Sequence, residues 1–374
     1  MHQTDRTWAE IHLDRLAHNY NELRRRTAPD CKFLAPVKAN GYGHGALAVS
    51  RRLQDLGCDY LAVAALPEAL ELRAAGITLS ILIFGYTDPK DASILVEHHL
   101  TQAIFSLEQA SALSHALAGT GRTLAVHLEL DTGMGRLGFP AYVDPPEDAR
   151  TAVALPHLDI QGIFTHFSVA DMEEGADYTN EQLEYFSRAV HWLEVEIGTQ
   201  FPLRHATNSG GALRLPDSHL NMIRPGIALY GLPPFAANLR PVMELKTRII
   251  QVRPFADGEL ISYGRTYQTR TGQTIAVVPI GYADGLHRAL SGKMDMLLHG
   301  HRTPQVGRIC MDLSMLDVTG VPEKISIGDM VTVFGTDGEK TISVAEQAAL
   351  AGTISYELLC AVSQRVPRMY LNGG

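Results

Sequence analysis

From Phe33 to Leu229 the chain repeats one pattern, a short apolar run followed by a helix-like stretch, and this repetition limits the fold more than any other feature. The apolar runs fall at Phe33 to Val37, Tyr60 to Ala64, Leu79 to Phe84, Gln102 to Phe105, Leu124 to Leu130, Ile160 to Thr165, Leu203 to Thr207 and Met222 to Leu229. Most of the intervals carry helix signals. Ala46 to Leu56 stops at Gly57, Pro67 and Glu68 open a helix that ends at Gly76, and Asp88 to His98 is helix-like. Ser106 and Gln109 have capping-box spacing for a helix to Leu117, and Asn180 to Ile197 closes at Gly198. Strands joined by helical crossovers lie parallel, and their number and length fit a (β/α)8 barrel. A doubly wound sheet is the competing arrangement, but no GxGxxG follows the first of these strands, which counts against a dinucleotide fold. Ahead of the repeat, Thr7 to Leu13 alternates weakly as a strand. Asp14 then stands where it can cap a helix with Leu16, Tyr20 and Leu23 on one face.

After Leu232-Pro233-Pro234 the grammar changes. Apolar runs shorten and are punctuated by Ala256-Asp257-Gly258, Arg270-Thr271-Gly272 and Thr336-Asp337-Gly338, which are turn signals between strands. One late helix runs from Ser343 to Leu350. The expected division is a TIM-like barrel over 1–235 and a mainly β C-terminal domain over 236–374, with the first strand, about 7–13, free to pack with the second. A chain of 374 residues is long for one core, which agrees with two domains. A net charge of −9 argues against nucleic acid or anionic membrane as a partner. No apolar run approaches the roughly 20 residues of a membrane span, and MHQTDRTWAE lacks a signal-peptide core. Cys31, Cys58, Cys310 and Cys360 form no CxxC pair, so buried free thiols in a reducing cytosol are expected, and the 16 histidines show no HExxH, so no metal is expected.

Chemistry in a (β/α)8 barrel gathers at the C-terminal ends of the strands. There the sequence places Lys38, Asp131 to Arg136, Thr165-His166, Thr207 to Gly210, and Arg224-Pro225-Gly226-Ile227. Lys38 leaves an apolar strand for the turn Ala39-Asn40-Gly41-Tyr42. Partial desolvation there makes an amine a nucleophile toward carbonyls. Ser209 offers a hydroxyl, and the backbone N–H groups of Gly226 and Ile227 can face a phosphate after strands seven and eight. Singly, each has a dull reading: a solvated lysine, a surface ion pair for Arg136, a satisfied core histidine for His166, a helix cap for Ser209. Their shared strand-end position favours one site.

The string FLAPVKANGYGHG from Phe33 to Gly45 closely resembles the cofactor-attachment motif of the alanine racemases. DTGMGRLG (Asp131 to Gly138), HFSVAD (His166 to Asp171), RPGIALYG (Arg224 to Gly231), SYGRTY (Ser262 to Tyr267), IGYADG (Ile280 to Gly285) and GRICMD (Gly307 to Asp312) resemble that family in order and spacing. The resemblance covers almost the whole chain. It implies a pyridoxal 5'-phosphate (PLP) barrel followed by a β domain, in a cytoplasmic head-to-tail homodimer with shared active sites. The implied reaction interconverts L- and D-alanine, for peptidoglycan or for alanine breakdown. It implies Lys38, which carries PLP as an aldimine, and Tyr263 as proton carriers on opposite faces of the α-carbon. It implies Tyr42, Ser209, Gly226, Ile227 and Tyr356 as phosphate ligands and Arg224 as the partner of the pyridine nitrogen. Arg136 would meet the cofactor's phenolic oxygen and the substrate carboxylate, the Met311 N–H would add a second carboxylate contact, and His166 would link Arg224 to Tyr263. Tyr282 and Tyr356 would narrow the entrance, and Asp312 would support it.

One position departs from the family pattern. Many members carry a lysine, carbamylated in the active protein, two residues before the aspartate of the DTG string; here that residue is Glu129. A carboxylate accepts a bidentate arginine without modification, so Glu129 is expected to orient Arg136. Three other readings compete with this one. A decarboxylase of the same plan would present a carboxylate to the pyridine nitrogen where this chain has Arg224. A single-barrel PLP carrier would lack the second domain and Tyr263. A racemase for serine or of broad specificity differs only in pocket size, which a sequence does not fix.

Overall fold

Eight parallel strands, most of them apolar and buried, are what the first two-thirds of the chain folds around. The computed structural model describes residues 6–142 and 145–372. The chain opens with β1 (Thr7–His12) and α1 (Leu13–Arg24). The barrel strands follow as β2 (Lys32–Pro36), β3 (Tyr60–Val63), β4 (Ser80–Ile83), β5 (Leu100–Ile104), β6 (Leu124–Asp131), β7 (Leu158–Phe164), β8 (Leu203–His205) and β9 (Met222–Ile223). They pair in the order β9-β2-β3-β4-β5-β6-β7-β8, every pair parallel. Asn221 bridges the remaining seam: its N–H donates to Arg204 O at 3.1 Å, and its side-chain oxygen accepts the Arg204 N–H at 3.0 Å. The ring is therefore a nearly closed (β/α)8 barrel. Leu34, Ala62, Leu82, Ala103, Phe164 and Met222 fill it, large residues beside small ones.

The crossovers carry α2 (Ala46–Asp55), α3 (Leu66–Ala74), α4 (Ala92–Glu97), α5 (Leu107–Ala116), α6 (Glu147–Val153), α7 (Ala176–Ile197) and α8 (Ser209–Arg214). On α1, Leu16, Tyr20 and Leu23 are buried, and the Tyr20 ring lies 4.7 Å from that of Phe33, centroid to centroid. Asp14 falls inside the first turn of α1 rather than at its cap, because the helix begins at Leu13. Ser106 Oγ accepts the Gln109 N–H at 3.2 Å, and the Gln109 side chain returns to Phe105 rather than to Ser106. The stretch expected as one helix from Asp88 splits into a 3-10 turn, Pro89–Asp91, and α4. The expected last strand shrinks to Met222–Ile223. Pro225 carries no N–H for a ladder, and the chain turns inward from there.

Leu16–Gly41 and Ala46–Arg240 make one compact unit. Pro241 onward, together with β1 and the four residues Tyr42–Gly45, makes the other. In this second unit lie β10 (Met243–Arg248), β11 (Gln251–Pro254), β12 (Leu260–Ile261), β13 (Tyr267–Gln268), β14 (Thr274–Val278), β15 (Asp295–Leu298), β16 (His301–Val306), β17 (Ser314–Asp317), β18 (Met330–Asp337), β19 (Lys340–Ile342), α9 (Val344–Ala351), α10 (Ser355–Ala361) and β20 (Arg368–Leu371). β1 pairs antiparallel with β10 and parallel with β20. Glu10, His12 and Glu244 come together on β1 and β10, but Lys246 Nζ lies 3.2 Å and 3.3 Å from the two carboxylates and Arg15 lies 2.8 Å from Glu244. Cations of the chain itself already balance that cluster. Cys31 and Cys58 are buried free thiols as expected, whereas Cys360 is exposed and Cys310 half-buried.

Candidate active site at the barrel mouth

The turn after β2 is the most strained backbone in the barrel. Ala39, Asn40 and Gly41 have φ/ψ of 52/50, 54/47 and 61/46, and Tyr42 and Gly43 continue the run at φ 53° and 82°. Each non-glycine residue held there costs about 1–2 kcal/mol. The surroundings over-determine it. Gly41 N–H donates to Val37 O at 2.7 Å, Asn40 Oδ1 accepts the Ala46 N–H at 2.9 Å, and Glu68 accepts the Ala39 N–H at 2.7 Å. Tyr230, fully buried, donates its hydroxyl to Pro36 O at 3.0 Å. Lys38 emerges from this frame half-buried, and its charge reaches His166.

Arg224 follows β9 and is buried with its charge. Its Nη1 donates to His205 Nδ1 at 2.7 Å; its Nη2 donates to Thr165 O at 2.7 Å and to Ala206 O at 3.1 Å, and lies 3.4 Å from His166 Nδ1. Burial pushes its pKa down to about 9, so it stays a cation at neutral pH. A guanidinium can only donate, which fixes the tautomers behind it. His205 accepts at Nδ1, carries its proton on Nε2 and donates to His127 Nδ1 at 2.9 Å. His127 then carries its proton on Nε2, a buried atom with no partner among the described residues. Burial, then the charge of Arg224, holds the His127 pKa down to about 3 and those of His205 and His166 well below the ordinary imidazole value. All three rings are neutral at physiological pH. Gly162 makes room for this pair, since a Cβ there would lie 2.8 Å from His127 ring atoms. The Phe164 ring stacks on His205 with centroids 4.9 Å apart.

Around Arg224 the other mouth residues take their places. Asp131 Oδ1 accepts the N–H groups of Gly133 at 2.9 Å and Gly135 at 3.1 Å, shaping the loop that carries Arg136. Glu129 is buried in β6, and burial pushes its carboxyl up to about 7 against the pull of Arg136 and Arg224. The fork expected between Glu129 and Arg136 is not formed: the carboxyl lies inside the barrel and Arg136 on an exposed loop, so they act on each other as nearby charges. Asn208, not Ser209, caps α8 by accepting the Gly211 N–H at 3.1 Å. Ser209 Oγ instead accepts the Ala228 N–H at 3.2 Å. Beside it, the buried N–H groups of Gly226 and Ile227 have no acceptor among the described residues. Buried N–H groups rarely stay unpaired, so this corner suits an anion.

In the other unit, Tyr42 is buried with its ring 6.0 Å from that of Tyr356, and burial, then Tyr356, raises its pKa. Tyr263 is 71% exposed and stands on the 3-10 turn Tyr263–Arg265 between β12 and β13, not within a strand. Ser262 before it has φ +67° and donates its hydroxyl to Arg308 O at 2.6 Å. Tyr263 shares the wall of a 380 Å³ groove with Phe255, Leu260, Ile275, Leu313 and Met315. Tyr282 and Met311, both exposed, lie on adjoining turns: the Ala283 N–H donates to Met311 O at 3.0 Å. Asp312 pairs with Arg365 at 2.8 Å.

The family model for the alanine racemase N-terminal domain matches residues 11–234, and that for the alanine racemase C-terminal domain matches residues 242–370. The chain belongs to the alanine racemase family. An alanine racemase of Methanococcus maripaludis is 44% identical over 371 residues, covering 98% of each chain. One from Desulfovibrio desulfuricans is 45% identical over 373 residues, covering 97% of this chain and 98% of the relative. Among solved structures, the Bacillus anthracis alanine racemase with bound L-Ala-P has a TM-score of 0.92 at 35% identity, covering 99% of this chain and 96% of the other. The sequence reading assigned His166 at this family site but passed over His127 and His205. The available signal was strand periodicity, because His127 lies two residues before Glu129 and shares its face of β6.

Proposed function

We propose that the protein is an alanine racemase that interconverts L- and D-alanine on bound pyridoxal 5'-phosphate. The observation that carries this reading is a buried cation, Arg224, donating into neutral imidazole and carbonyls at the same mouth as Lys38. The residues present fit the cofactor: a lysine for its aldehyde, Arg224 for its ring nitrogen, and Ser209 with the unpaired N–H groups of Gly226 and Ile227 for its phosphate. When bound, PLP supplies an aldehyde that captures amines and a conjugated ring that spreads the negative charge left by a departing α-proton. Arg224, a cation at neutral pH, would face the ring nitrogen and leave it unprotonated, which would keep that sink weak and limit side reactions such as transamination.

Lys38 Nζ takes or gives the α-proton on one face, and the Tyr263 hydroxyl serves the other. Proton loss to one and gain from the other inverts the centre with no net change in atoms. Arg136 and the Met311 N–H hold the carboxylate. The exposure of Tyr263 and Met311 beside an apolar groove supports a head-to-tail homodimer in which they complete a partner's site. Four free thiols agree with a cytoplasmic location, and among the described residues no helix is long and apolar enough to cross a membrane. Such an enzyme serves wall synthesis or alanine breakdown alike. The test is chiral analysis of PLP-loaded protein given L-alanine: an equal mixture of isomers is expected. Tyr263→Phe should cut the rate about 10³-fold. Racemisation of L-serine in preference to L-alanine would favour the alternative specificity.

We assign Glu129 the anionic role opposite the mouth arginines, through space. Its folded pKa of about 7 lies above the ordinary glutamate value of 4.5. A raised value means that its contribution to stability is fully present below about pH 4.5 and is lost as pH rises through 7, by about 3 kcal/mol. Glu129→Gln should therefore melt higher than wild type at pH 8 and no differently at pH 4. The same variant should lose the rise of kcat/KM through pH 7, by about tenfold at pH 8. Wild-type activity should not depend on bicarbonate. Equal melting at pH 8 would mean that Glu129 ionises freely.

A further inference from the structure

Asp284 is wholly buried, yet among the described residues its carboxylate bonds none of those assigned to proton transfer or to the cofactor. It closes the turn Tyr282–Asp284 by accepting the Gly281 N–H at 3.0 Å. Arg6 grips it as a fork, Nη1 to Oδ1 at 2.7 Å and Nη2 to Oδ2 at 2.9 Å. Arg365 Nε lies 3.4 Å from Asp284 Oδ1 while its Nη2 donates to Asp312 Oδ1 at 2.8 Å. Arg6 Nη2 also reaches Asp312 O at 3.4 Å. The backbones of the two turns are joined as well, Tyr282 N–H to Cys310 O and Ala283 N–H to Met311 O, both at 3.0 Å. They approach so closely that a Cβ on Gly281 would sit 2.3 Å from Cys310 O and 2.4 Å from Met311 O. One buried carboxylate thus gathers two arginines that both reach across to Asp312.

We propose that Asp284, acting through Arg6 and Arg365, is a positioning residue that locks the Tyr282 turn to the Met311–Asp312 turn, so that entrance width and carboxylate contact are set together. This rests on the proposed function, in which Tyr282 narrows the entrance and the Met311 N–H binds the substrate carboxylate. A carboxylate is required because only it can accept a guanidinium fork and a backbone N–H at once. An asparagine of the same size would turn an NH2 toward an arginine. Arg6 and Arg365 are each more than a third exposed, so they can swing into water and the fold survives their loss.

The experiment compares wild type with Asp284→Asn, Arg365→Ala and Arg365→Lys as PLP-loaded protein. Amide hydrogen exchange at Tyr282 and Ala283 should quicken about tenfold in Asp284→Asn. Alanine KM should rise about tenfold with kcat within about threefold, and the serine-to-alanine ratio of kcat/KM should increase. Arg365→Ala should shift both readouts in the same direction, and Arg365→Lys should restore most of that loss. Wild-type exchange and KM in folded Asp284→Asn would overturn the proposal, as would a fall in kcat at constant KM. If Asp284→Asn does not fold, Arg365→Ala and its rescue decide on the same criteria. Hydrogen exchange needs no turnover, so a wild-type protein that fails to racemise alanine would defeat the proposed function while the exchange result still decides the lock.

Discussion

Replacing Lys38 by alanine is expected to leave a folded protein that neither keeps PLP through dialysis nor racemises alanine, with kcat/KM lower by about four orders of magnitude. The fold should survive because the named bonds that hold the left-handed turn run elsewhere. They join Gly41 to Val37, Asn40 to Ala46, Ala39 to Glu68 and Tyr230 to Pro36. None uses the Lys38 amine. The activity should not survive, because the same amine both attaches the cofactor and carries the proton on one face. Tyr263 alone can exchange a proton on its own face but cannot deliver one to the other. Absorbance after dialysis, a thermal melt and chiral analysis together check this. A variant that melts like wild type and still produces D-alanine at more than a hundredth of the rate would remove Lys38 from the chemistry.

The barrel was legible because strands buried on both faces read as continuous apolar runs, and all eight fall where the structure has strands. What the pattern did not resolve was short. α6 follows Pro145-Pro146 and offers about two turns of weak periodicity, and α10 sits only a few residues beyond α9. The mouth residues were legible because chemistry in this architecture gathers at strand ends, and motif strings mark those ends. His127 and His205 were not, because they lie within strands, where a histidine reads as a satisfied core residue. They are core residues, but Arg224 dictates their tautomers and leaves His127 Nε2 without a partner among the described residues. Tyr263 stands outside any strand because Ser262 at φ +67° and Gly264 turn the chain out of the ladder there. The Glu129–Arg136 fork failed because sequence spacing says nothing of depth: two residues of β6 and a looping return separate a buried carboxyl from an exposed guanidinium.

Arg224→Glu is expected to cost stability and chemistry at once. The arginine's N–H groups point at Thr165 O, Ala206 O and His205 Nδ1, all acceptors. A carboxylate in that space offers only more acceptors, and even a protonated carboxyl has one O–H for the two carbonyls. His205 can pair with it only by moving its proton from Nε2 to Nδ1, which reverses its bond to His127. Reorganising the His205–His127 relay adds to the penalty, and a loss of about 3–5 kcal/mol is expected. The chemical effect follows from charge. A carboxylate facing the ring nitrogen favours its protonated form, and a shift of about three pKa units there is worth roughly 4 kcal/mol of added electron withdrawal. Racemisation should slow while transamination, seen as pyridoxamine phosphate formed with pyruvate, rises at least about tenfold per turnover. Arg224→Lys separates the two effects: it keeps a cation but loses the fork, so it should share the instability without the transamination. Equal transamination in both variants would show that packing at this position, not the sign of its charge, protects the reaction.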